Sequence, residues 1–153
     1  MIIDDRGRVR RDPMRTSEQR RLSRSSEVLR RTLERVSEMQ EADLLPNGVR
    51  YNGESSLVRY KPGQAYGPHG DAAGMEAGRE WTVLVCLQSA NKGGETRFVN
   101  LGRTYALASG DALLWPNYDA SGEENEKMDH EALPVVEGCK VVANVWLDVE
   151  PRS

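Results

Sequence analysis

The sequence lacks any apolar run long enough to cross a lipid bilayer. A membrane-spanning helix needs about 18 consecutive apolar residues, and no segment of the chain approaches that length. The first residues, MIIDDRGRVRRD, also lack the apolar stretch of a signal peptide. We therefore expect a cytoplasmic protein without a membrane partner.

Cysteine is scarce as well. The two cysteines, Cys86 and Cys139, both lie in apolar, strand-like runs, where a free thiol usually behaves as a small buried hydrophobe. The pattern therefore predicts free thiols rather than a structural disulfide.

A chain of 153 residues has room for one domain around a single core, and none for a second catalytic domain. Hydrophobic residues make up 38% and charged residues 29%, which is typical of a soluble globular protein. Residues 1–35 contain 11 Arg against six acidic side chains, although the whole chain has a net charge of -3. An Arg-rich segment can contact nucleic acid, but the interspersed Glu18, Glu27 and Glu34 favour the solvated face of a helix.

The periodicity of apolar residues divides the chain into two regions. Between residues 25 and 40 they recur every three or four positions, which predicts an amphipathic helix with Ser25 or Ser26 at its N-cap. We therefore assign residues 1–14 to a polar N-terminal segment, 15–50 to a helical region and 55–149 to a β core of one domain, 1–153. Predicted strands cover residues 55–61, 81–88, 96–100, 104–108, 112–115, 133–136 and 140–149.

One helix followed by about seven short strands argues against a parallel sheet with alternating helices and strands. The pattern instead predicts a mainly β protein of the α+β class. Its core should be a double-stranded β-helix, the cupin-like jelly roll, with the helix packed on one sheet.

The chain has two histidines, His69 and His130, and their setting indicates a metal site. On an extended backbone, residues i and i+2 project to the same side, so His69 and Asp71 can converge on one ion. His130 can complete the set. Two imidazoles and one carboxylate leave coordination positions open, the arrangement associated with non-haem iron(II) oxygenases.

The sequence around His69 makes this interpretation more specific. Residues 60–71, YKPGQAYGPHGD, resemble the Y-x-P-G-Q-x-Y-x-x-H-x-D signature of the prolyl 4-hydroxylase family. The resemblance continues through GGET (93–96), LLWPN (113–117), His130 and GCK (138–140), and ends at ANVWL (143–147). It covers about residues 55–149, and more weakly RTS at 15–17.

The resemblance implies that His69, Asp71 and His130 hold Fe(II) as the catalytic metal. It also implies that Lys140, with the hydroxyls of Tyr60 and Thr96, grips the distal carboxylate of the co-substrate 2-oxoglutarate. A buried cation needs an anionic partner, which a dicarboxylate provides. The alternative for Lys140 is an exposed strand lysine, and for Tyr60 and Thr96 ordinary strand residues.

By the same resemblance, Tyr66, Arg79 and Trp146 line a groove for a peptide substrate beside the metal. Core packing is the competing explanation for the two aromatic residues, and a surface charge is the one for Arg79. The implied reaction uses O2, decarboxylates 2-oxoglutarate to succinate and carbon dioxide, and hydroxylates peptidyl proline. Ascorbate is an auxiliary reductant in this scheme.

The chain departs from the family pattern at several positions. Gly70 replaces a bulkier residue, which together with Gly67 predicts a more open rim beside the iron. Few residues precede the RTS motif, so we expect a short sheet with an edge that could pair with another chain; monomer and dimer both stay open. The acidic segment 119–129 leads into His130, and we expect it to cover the mouth of the site and favour substrates of low or positive charge.

Two rival functions remain at this point. One keeps the iron chemistry but acts on a free amino acid, another side chain or a small metabolite, because a shared fold does not fix the substrate. The other is a non-catalytic jelly-roll binding module whose Arg-rich N-terminal part contacts nucleic acid.

Overall fold

The computed structural model of the protein describes residues 14–72 and 78–150, and the backbone of residues 2–3 and 9–10. The rest of the polar segment predicted at residues 1–14 lies outside the described residues. The strands are β1 (Ile2–Ile3), β2 (Val9–Arg10), β3 (Glu18–Arg21), β4 (Val49–Tyr60), β5 (Tyr66–His69), β6 (Trp81–Gln88), β7 (Lys92–Gly93), β8 (Thr96–Phe98), β9 (Arg103–Tyr105), β10 (Ala112–Pro116), β11 (His130–Ala132), β12 (Val135–Glu137) and β13 (Lys140–Val149). Helix α1 (Glu27–Glu41) lies between β3 and β4, and a short 3-10 helix spans Glu126–Met128.

Two antiparallel sheets form the body of the protein. The five-stranded sheet has the order β10-β6-β13-β4-β3, and the four-stranded sheet has the order β5-β11-β8-β9. Two smaller pairs, β12-β7 and β1-β2, accompany them. This arrangement confirms the predicted jelly-roll core with one main helix.

Side chains of the central strand β13 alternate between two cores. Ala143, Val145 and Leu147 pack with residues of α1 in one cluster, whereas Val142 packs with Val58 and Phe98 in the other. Because successive strand residues point to opposite faces, one face of this sheet carries the helix. The other face looks toward the four-stranded sheet, and the space between the two sheets contains the candidate site.

The helix predicted at residues 25–40 is confirmed as α1. Its buried residues, Leu29, Thr32 and Val36, lie on one face. Ser26 occupies the N-cap with an extended backbone, but its side chain makes no capping hydrogen bond. No helix in the described part of the chain is both long and apolar enough to span a membrane.

The assignment of residues 15–50 as a helical region is wrong outside α1. Residues Glu18–Arg21 form β3, which pairs with β4 at the sheet edge, and β4 begins at Val49 rather than at residue 55. Gly53 has a φ of +91°, and the register between β4 and β13 shifts between Val145 and Leu147. Such an irregularity lets a strand bend and continue, so β4 extends through a polar stretch that gives no alternating signal.

The strands of the smaller sheet also differ from the predictions at their ends. β8 and β9 stop at Phe98 and Tyr105, and β5 had not been predicted. Of the segment predicted as a strand at 133–136, only Val135 and Val136 belong to one, β12, whereas β11 ends at Ala132. Between the two strands, the amide of Leu133 donates to the carbonyl of Glu95 and Pro134 has no amide to donate. Cys86 is buried and Cys139 half-buried, both as free thiols.

Candidate metal centre

The two histidines face each other across a strand pair. His69 is the last residue of β5 and His130 the first of β11, and the two are register partners in the antiparallel ladder. Asp71 lies two residues after the end of β5, which is the spacing from which the sequence predicts its convergence with His69. Strand pairing therefore brings residue 130 next to a segment about 60 positions earlier.

The three side chains present one donor atom each to a common point. The Nε2 atoms of His69 and His130 lie 3.5 Å and 3.6 Å from Oδ1 of Asp71. All three donor atoms lie within 4.8 Å of one another. Neighbouring ligands of an octahedral ion with bonds of about 2.1 Å lie about 3 Å apart, so this donor set fits a transition-metal ion such as iron(II).

Backbone carbonyls select the tautomer of both imidazole rings. Nδ1 of His69 donates to the carbonyl of Gly67, and Nδ1 of His130 donates to the carbonyl of Met128, each at 2.8 Å. With the proton held on Nδ1, each Nε2 keeps its lone pair for a metal. Burial, and then the nearby His130, lower the pKa of His69 to about 4, so its imidazole is neutral at physiological pH.

The Asp71 carboxylate is oriented by a residue that the sequence analysis missed. The hydroxyl of Thr82 donates to Oδ2 of Asp71 at 2.7 Å, which leaves Oδ1 facing the imidazoles. Thr82 is fully buried and lies in β6, the strand predicted at residues 81–88. A threonine in an inward-facing position within the apolar run WTVLVCL was the available signal.

Lys140, the predicted co-substrate residue, is buried in the same cavity. Its side chain reaches inward from β13, the residue is 5% exposed, and Nζ donates to the carbonyl of Gly94 at 2.6 Å. The described residues place no carboxylate within ion-pair distance of it. Burial lowers the pKa of Lys140 to about 8, because the loss of hydration outweighs the favourable interactions with Cys86 and Glu95.

Tyr60 and Thr96 line the cavity beside Lys140. Both are nearly inaccessible to solvent, and Nζ of Lys140 lies 5.2 Å from the centre of the Tyr60 ring. Burial raises the pKa of Tyr60, so its hydroxyl stays protonated and can donate a hydrogen bond. The same cavity is thus lined by the three candidate metal ligands, a buried cation and two hydroxyl groups, a combination that fits a dicarboxylate.

The three residues predicted to line a substrate groove also border this cavity. The ring of Tyr66 is stacked on His69, with centroids 3.7 Å apart. Arg79 lies 3.9 Å over the Trp146 ring and forms a 2.6 Å ion pair with Glu54. Arg79 is therefore not a free surface charge, and Glu54 is a partner that sequence reasoning did not identify.

Two further side chains support the rings of the site. Arg15 lies 4.6 Å from the centre of the Tyr66 ring and lines the cavity. The Trp115 ring is buried, with its centre 4.7 Å from that of His130. Together they restrict how the His130 and Tyr66 rings can turn.

The acidic segment 119–129 is held by local hydrogen bonds. The Asp119 carboxylate accepts from the backbone amides of Ser121 and Glu123. The segment ends at Asp129, whose Oδ1 lies 2.9 Å from the place where a Cβ on Gly70 would stand. The prediction of an open rim at Gly70 is therefore wrong, because the Asp129 side chain takes up that space.

Comparison with known proteins agrees with this geometry. A model of the 2OG-Fe(II) oxygenase superfamily matches residues 55–148. The probable prolyl 4-hydroxylase 6 of Arabidopsis thaliana is 36% identical over 123 residues, covering 64% of this chain and 43% of the relative. The prolyl 4-hydroxylase subunit alpha-2 of Caenorhabditis elegans is 34% identical over 104 residues. That match covers 61% of this chain but 19% of the relative, so the chain spans about a fifth of the length of such subunits.

Solved structures of similar fold include the viral collagen prolyl hydroxylase of Paramecium Bursaria Chlorella virus-1 in its 2OG complex. The two share a TM-score of 0.77 and 26% identity, over 90% of this chain and 81% of the viral one. A prolyl-4-hydroxylase from Pseudomonas putida has the same fold at a TM-score of 0.66 and 19% identity, over 92% of this chain and 76% of the other. The match to the family model covers more than half of the chain, which therefore belongs to the 2OG-Fe(II) oxygenase superfamily.

Proposed function

We propose that this chain is a dioxygenase that uses Fe(II), 2-oxoglutarate and O2 to hydroxylate proline in a peptide or protein. In this reaction 2-oxoglutarate is decarboxylated to succinate and carbon dioxide. His69, Asp71 and His130 hold the metal, and Lys140, Tyr60 and Thr96 hold the distal carboxylate of 2-oxoglutarate.

The observation that carries the proposal is the position of Lys140. A lysine that is 5% exposed and has no carboxylate within ion-pair distance among the described residues is unfavourable by itself. It opens into the cavity that also contains the three candidate metal ligands. A dicarboxylate bound between them would neutralise the cation at one end and coordinate the metal at the other.

The residues of the chain contribute binding and orientation. The Nδ1–H bonds to backbone carbonyls hold the two imidazoles in one tautomer, and Thr82 holds the carboxylate of Asp71. Bound iron supplies the redox chemistry with O2 and 2-oxoglutarate. Since that chemistry belongs to the cofactor and co-substrate, no carboxyl group of the protein needs to act as a general acid or base.

Peptidyl proline is the substrate we favour for two reasons. Several relatives carry prolyl 4-hydroxylase in their names, and the cavity wall formed by Tyr66, Arg79 and Trp146 offers aromatic surface and a guanidinium beside His69. Aromatic side chains at a cavity wall suit the apolar carbons of a proline ring, and a guanidinium suits a peptide carbonyl.

The test measures succinate formation from 2-oxoglutarate and O2 with Fe(II), with and without proline-containing peptides, and locates the added oxygen by mass spectrometry. The wild type should form succinate, and a proline peptide should stimulate it and gain one oxygen atom on the ring. Lys140→Met should raise the concentration of 2-oxoglutarate needed for half-maximal rate by at least tenfold. Lys92→Met, at an exposed lysine of β7, should match the wild type.

Two results would contradict the proposal in different ways. No succinate from the wild type under any condition would reject the oxygenase activity. Turnover that no proline peptide stimulates, but a free amino acid or another side chain does, would keep the iron chemistry and reject the substrate.

A further inference from the structure

A buried chain of hydrogen bonds runs from Asp71 away from the candidate metal site. Thr82 on β6 donates to Oδ2 of Asp71 at 2.7 Å, and Nδ2 of Asn117 lies 2.8 Å from the hydroxyl oxygen of Thr82. The same Nδ2 lies 3.0 Å from the carbonyl oxygen of Arg79. Thr82 is 0% and Asn117 is 3% exposed, so water does not compete for these bonds.

The donor and acceptor in each of these hydrogen bonds follow from the group at the end of the series, the carbonyl of Arg79. The Arg79 carbonyl is an acceptor, so the Asn117 amide must present its NH2 group rather than its oxygen there. An NH2 group has two hydrogens, and the second one points to the Thr82 oxygen. The single proton of the Thr82 hydroxyl is then directed to Oδ2 of Asp71, which can only accept.

The consequence for Asp71 is that its two oxygens differ. Oδ2 is occupied by a hydrogen bond, whereas Oδ1 points toward Nε2 of His69 and His130. A carboxylate with both oxygens free can bind an ion through one or both of them. If both bound, the carboxylate would take up a coordination position that 2-oxoglutarate or O2 requires.

We propose that Thr82 and Asn117 are positioning residues that restrict Asp71 to binding the metal through Oδ1 alone. This inference rests on the proposed function, because it requires that His69, Asp71 and His130 hold a metal. It adds two residues that touch neither metal nor co-substrate but determine how many positions the metal keeps open. Hydrogen-bond partners of metal ligands commonly change metal affinity 10- to 100-fold when removed.

The same series of hydrogen bonds also connects Asp71 to the segment that carries Arg79. The backbone amide of Asn117 donates to the carbonyl of Glu80 at 2.8 Å, so Asn117 holds this segment with both its backbone and its side chain. A substrate that contacts Arg79 therefore acts on the same segment that orients the Asp71 carboxylate. We expect the position of the substrate and the position of the carboxylate to be coupled.

The test uses Co(II) as a spectroscopic replacement for iron, with no turnover. The dissociation constant and the visible absorption of bound Co(II) are measured for the wild type, Thr82→Val and Thr82→Ser. Valine keeps the branched shape but removes the hydroxyl, and serine keeps the hydroxyl. We expect 10- to 100-fold weaker binding and an altered absorption spectrum for Thr82→Val, and near wild-type values for Thr82→Ser.

Ser56→Ala is the matched control. Ser56 lies on β4, is 3% exposed, and its hydroxyl has no hydrogen-bond partner among the described residues. Its loss should change neither the affinity nor the spectrum. Asn117→Asp provides a second variant, since a carboxylate cannot donate to Arg79 or Thr82, and it should weaken Co(II) binding in the same direction as Thr82→Val.

The outcomes separate this inference from the proposed function. If wild-type protein does not bind Co(II), the metal site itself is rejected. If the wild type binds Co(II) while both Thr82→Val and Asn117→Asp, folded by circular dichroism, keep its affinity and spectrum, only the positioning role is rejected. Thermal midpoints of the metal-free proteins report any general loss of stability. Thr82→Ser would share such a general loss, but it would not share a loss of Co(II) affinity that is caused by the missing hydroxyl.

Discussion

The imidazole rings of His69 and His130 lie 4.3 Å apart across the β5–β11 strand pair. Their Nδ1 atoms are both bonded to carbonyls two residues earlier in the chain, so their Nε2 atoms are both available on the side of Asp71. Two strands of one sheet thus fix the relative position of the two imidazoles.

Removal of one imidazole should abolish metal-dependent stabilisation. A metal present at about 100 times its dissociation constant raises the free energy of unfolding by about 2.7 kcal/mol, if it binds only the folded protein. We expect Mn(II) to produce such an increase in the wild type and none in His130→Ala, measured by urea denaturation with and without the metal. An equal increase in the variant would show that the metal binds elsewhere.

The affinity for 2-oxoglutarate should fall as the pH rises above about 8, the pKa of Lys140 in the free protein. Below that pH the lysine carries the charge that pairs with the carboxylate. Above it, binding must take up a proton, so the dissociation constant should increase about tenfold per pH unit. Calorimetric titration of 2-oxoglutarate in the presence of Mn(II), from pH 6.5 to pH 9.5, measures this.

Lys140→Arg is the control for the pH effect, because a guanidinium stays protonated over this range. In a variant that still binds 2-oxoglutarate, the dissociation constant should be nearly independent of pH. A wild-type profile as flat as that of the variant would mean that Lys140 does not supply the charge.

Loss of Arg79 should affect the substrate more than the co-substrate. Arg79 covers the Trp146 ring and pairs with Glu54, and it lies at the cavity wall rather than beside Lys140. We expect Arg79→Ala to raise KM for a proline peptide by about tenfold, the effect of losing one interaction of about 1.4 kcal/mol. KM for 2-oxoglutarate should stay within twofold.

Arg50→Ala removes a comparable but exposed ion pair, with Glu150, at the far end of β4. Such a pair contributes little, so both KM values should match the wild type. An equal rise of KM for peptide and 2-oxoglutarate in Arg79→Ala would instead indicate a general distortion of the cavity.

A side chain at position 70 should conflict with Asp129. A Cβ on residue 70 would lie 2.9 Å from Oδ1 of Asp129, and crowding of a packed position costs about 1–3 kcal/mol. Because Oδ1 is the end of a side chain that can rotate away, we expect Gly70→Ala to lower the free energy of unfolding by about 1 kcal/mol.

The double variant Gly70→Ala, Asp129→Ala tests this cause. If the contact with Asp129 is responsible, the two changes together should be less destabilising than their sum, with a coupling above about 0.5 kcal/mol in urea denaturation. Additive effects would mean that Gly70 is required for another reason.

The sequence allowed prediction of the elements whose signal is local. β6 and β13 have the predicted bounds, because apolar residues fill them on both faces, and the spacing of His69 and Asp71 predicted their convergence. β3, with the sequence EQRR, has no such pattern. It is a strand because β4 offers it hydrogen bonds along the sheet edge, and that information lies outside the segment.

Contacts between residues far apart in the sequence could likewise not be predicted from the motifs. Thr82 and Asn117 are 35 residues apart and meet because β6 and β10 pair with Thr82 opposite Trp115, two residues before Asn117. The Glu54–Arg79 ion pair depends in a similar way on tertiary structure, because Glu54 lies within β4 and Arg79 lies two residues before β6. A motif identifies groups that contact the metal or the co-substrate, whereas their supports are determined by strand register.

The candidate metal ligands and Lys140 belong to different sheets. His69 and His130 lie on the four-stranded sheet, whereas Lys140 starts the central strand of the five-stranded one. Packed sheets are held about 10 Å apart by the side chains between them. In the proposed enzyme, discrimination between diacids of different chain length is therefore a property of the whole core. Residues such as Val58 and Phe98, which are buried between the sheets but do not line the cavity, help to set the gap that the co-substrate must bridge.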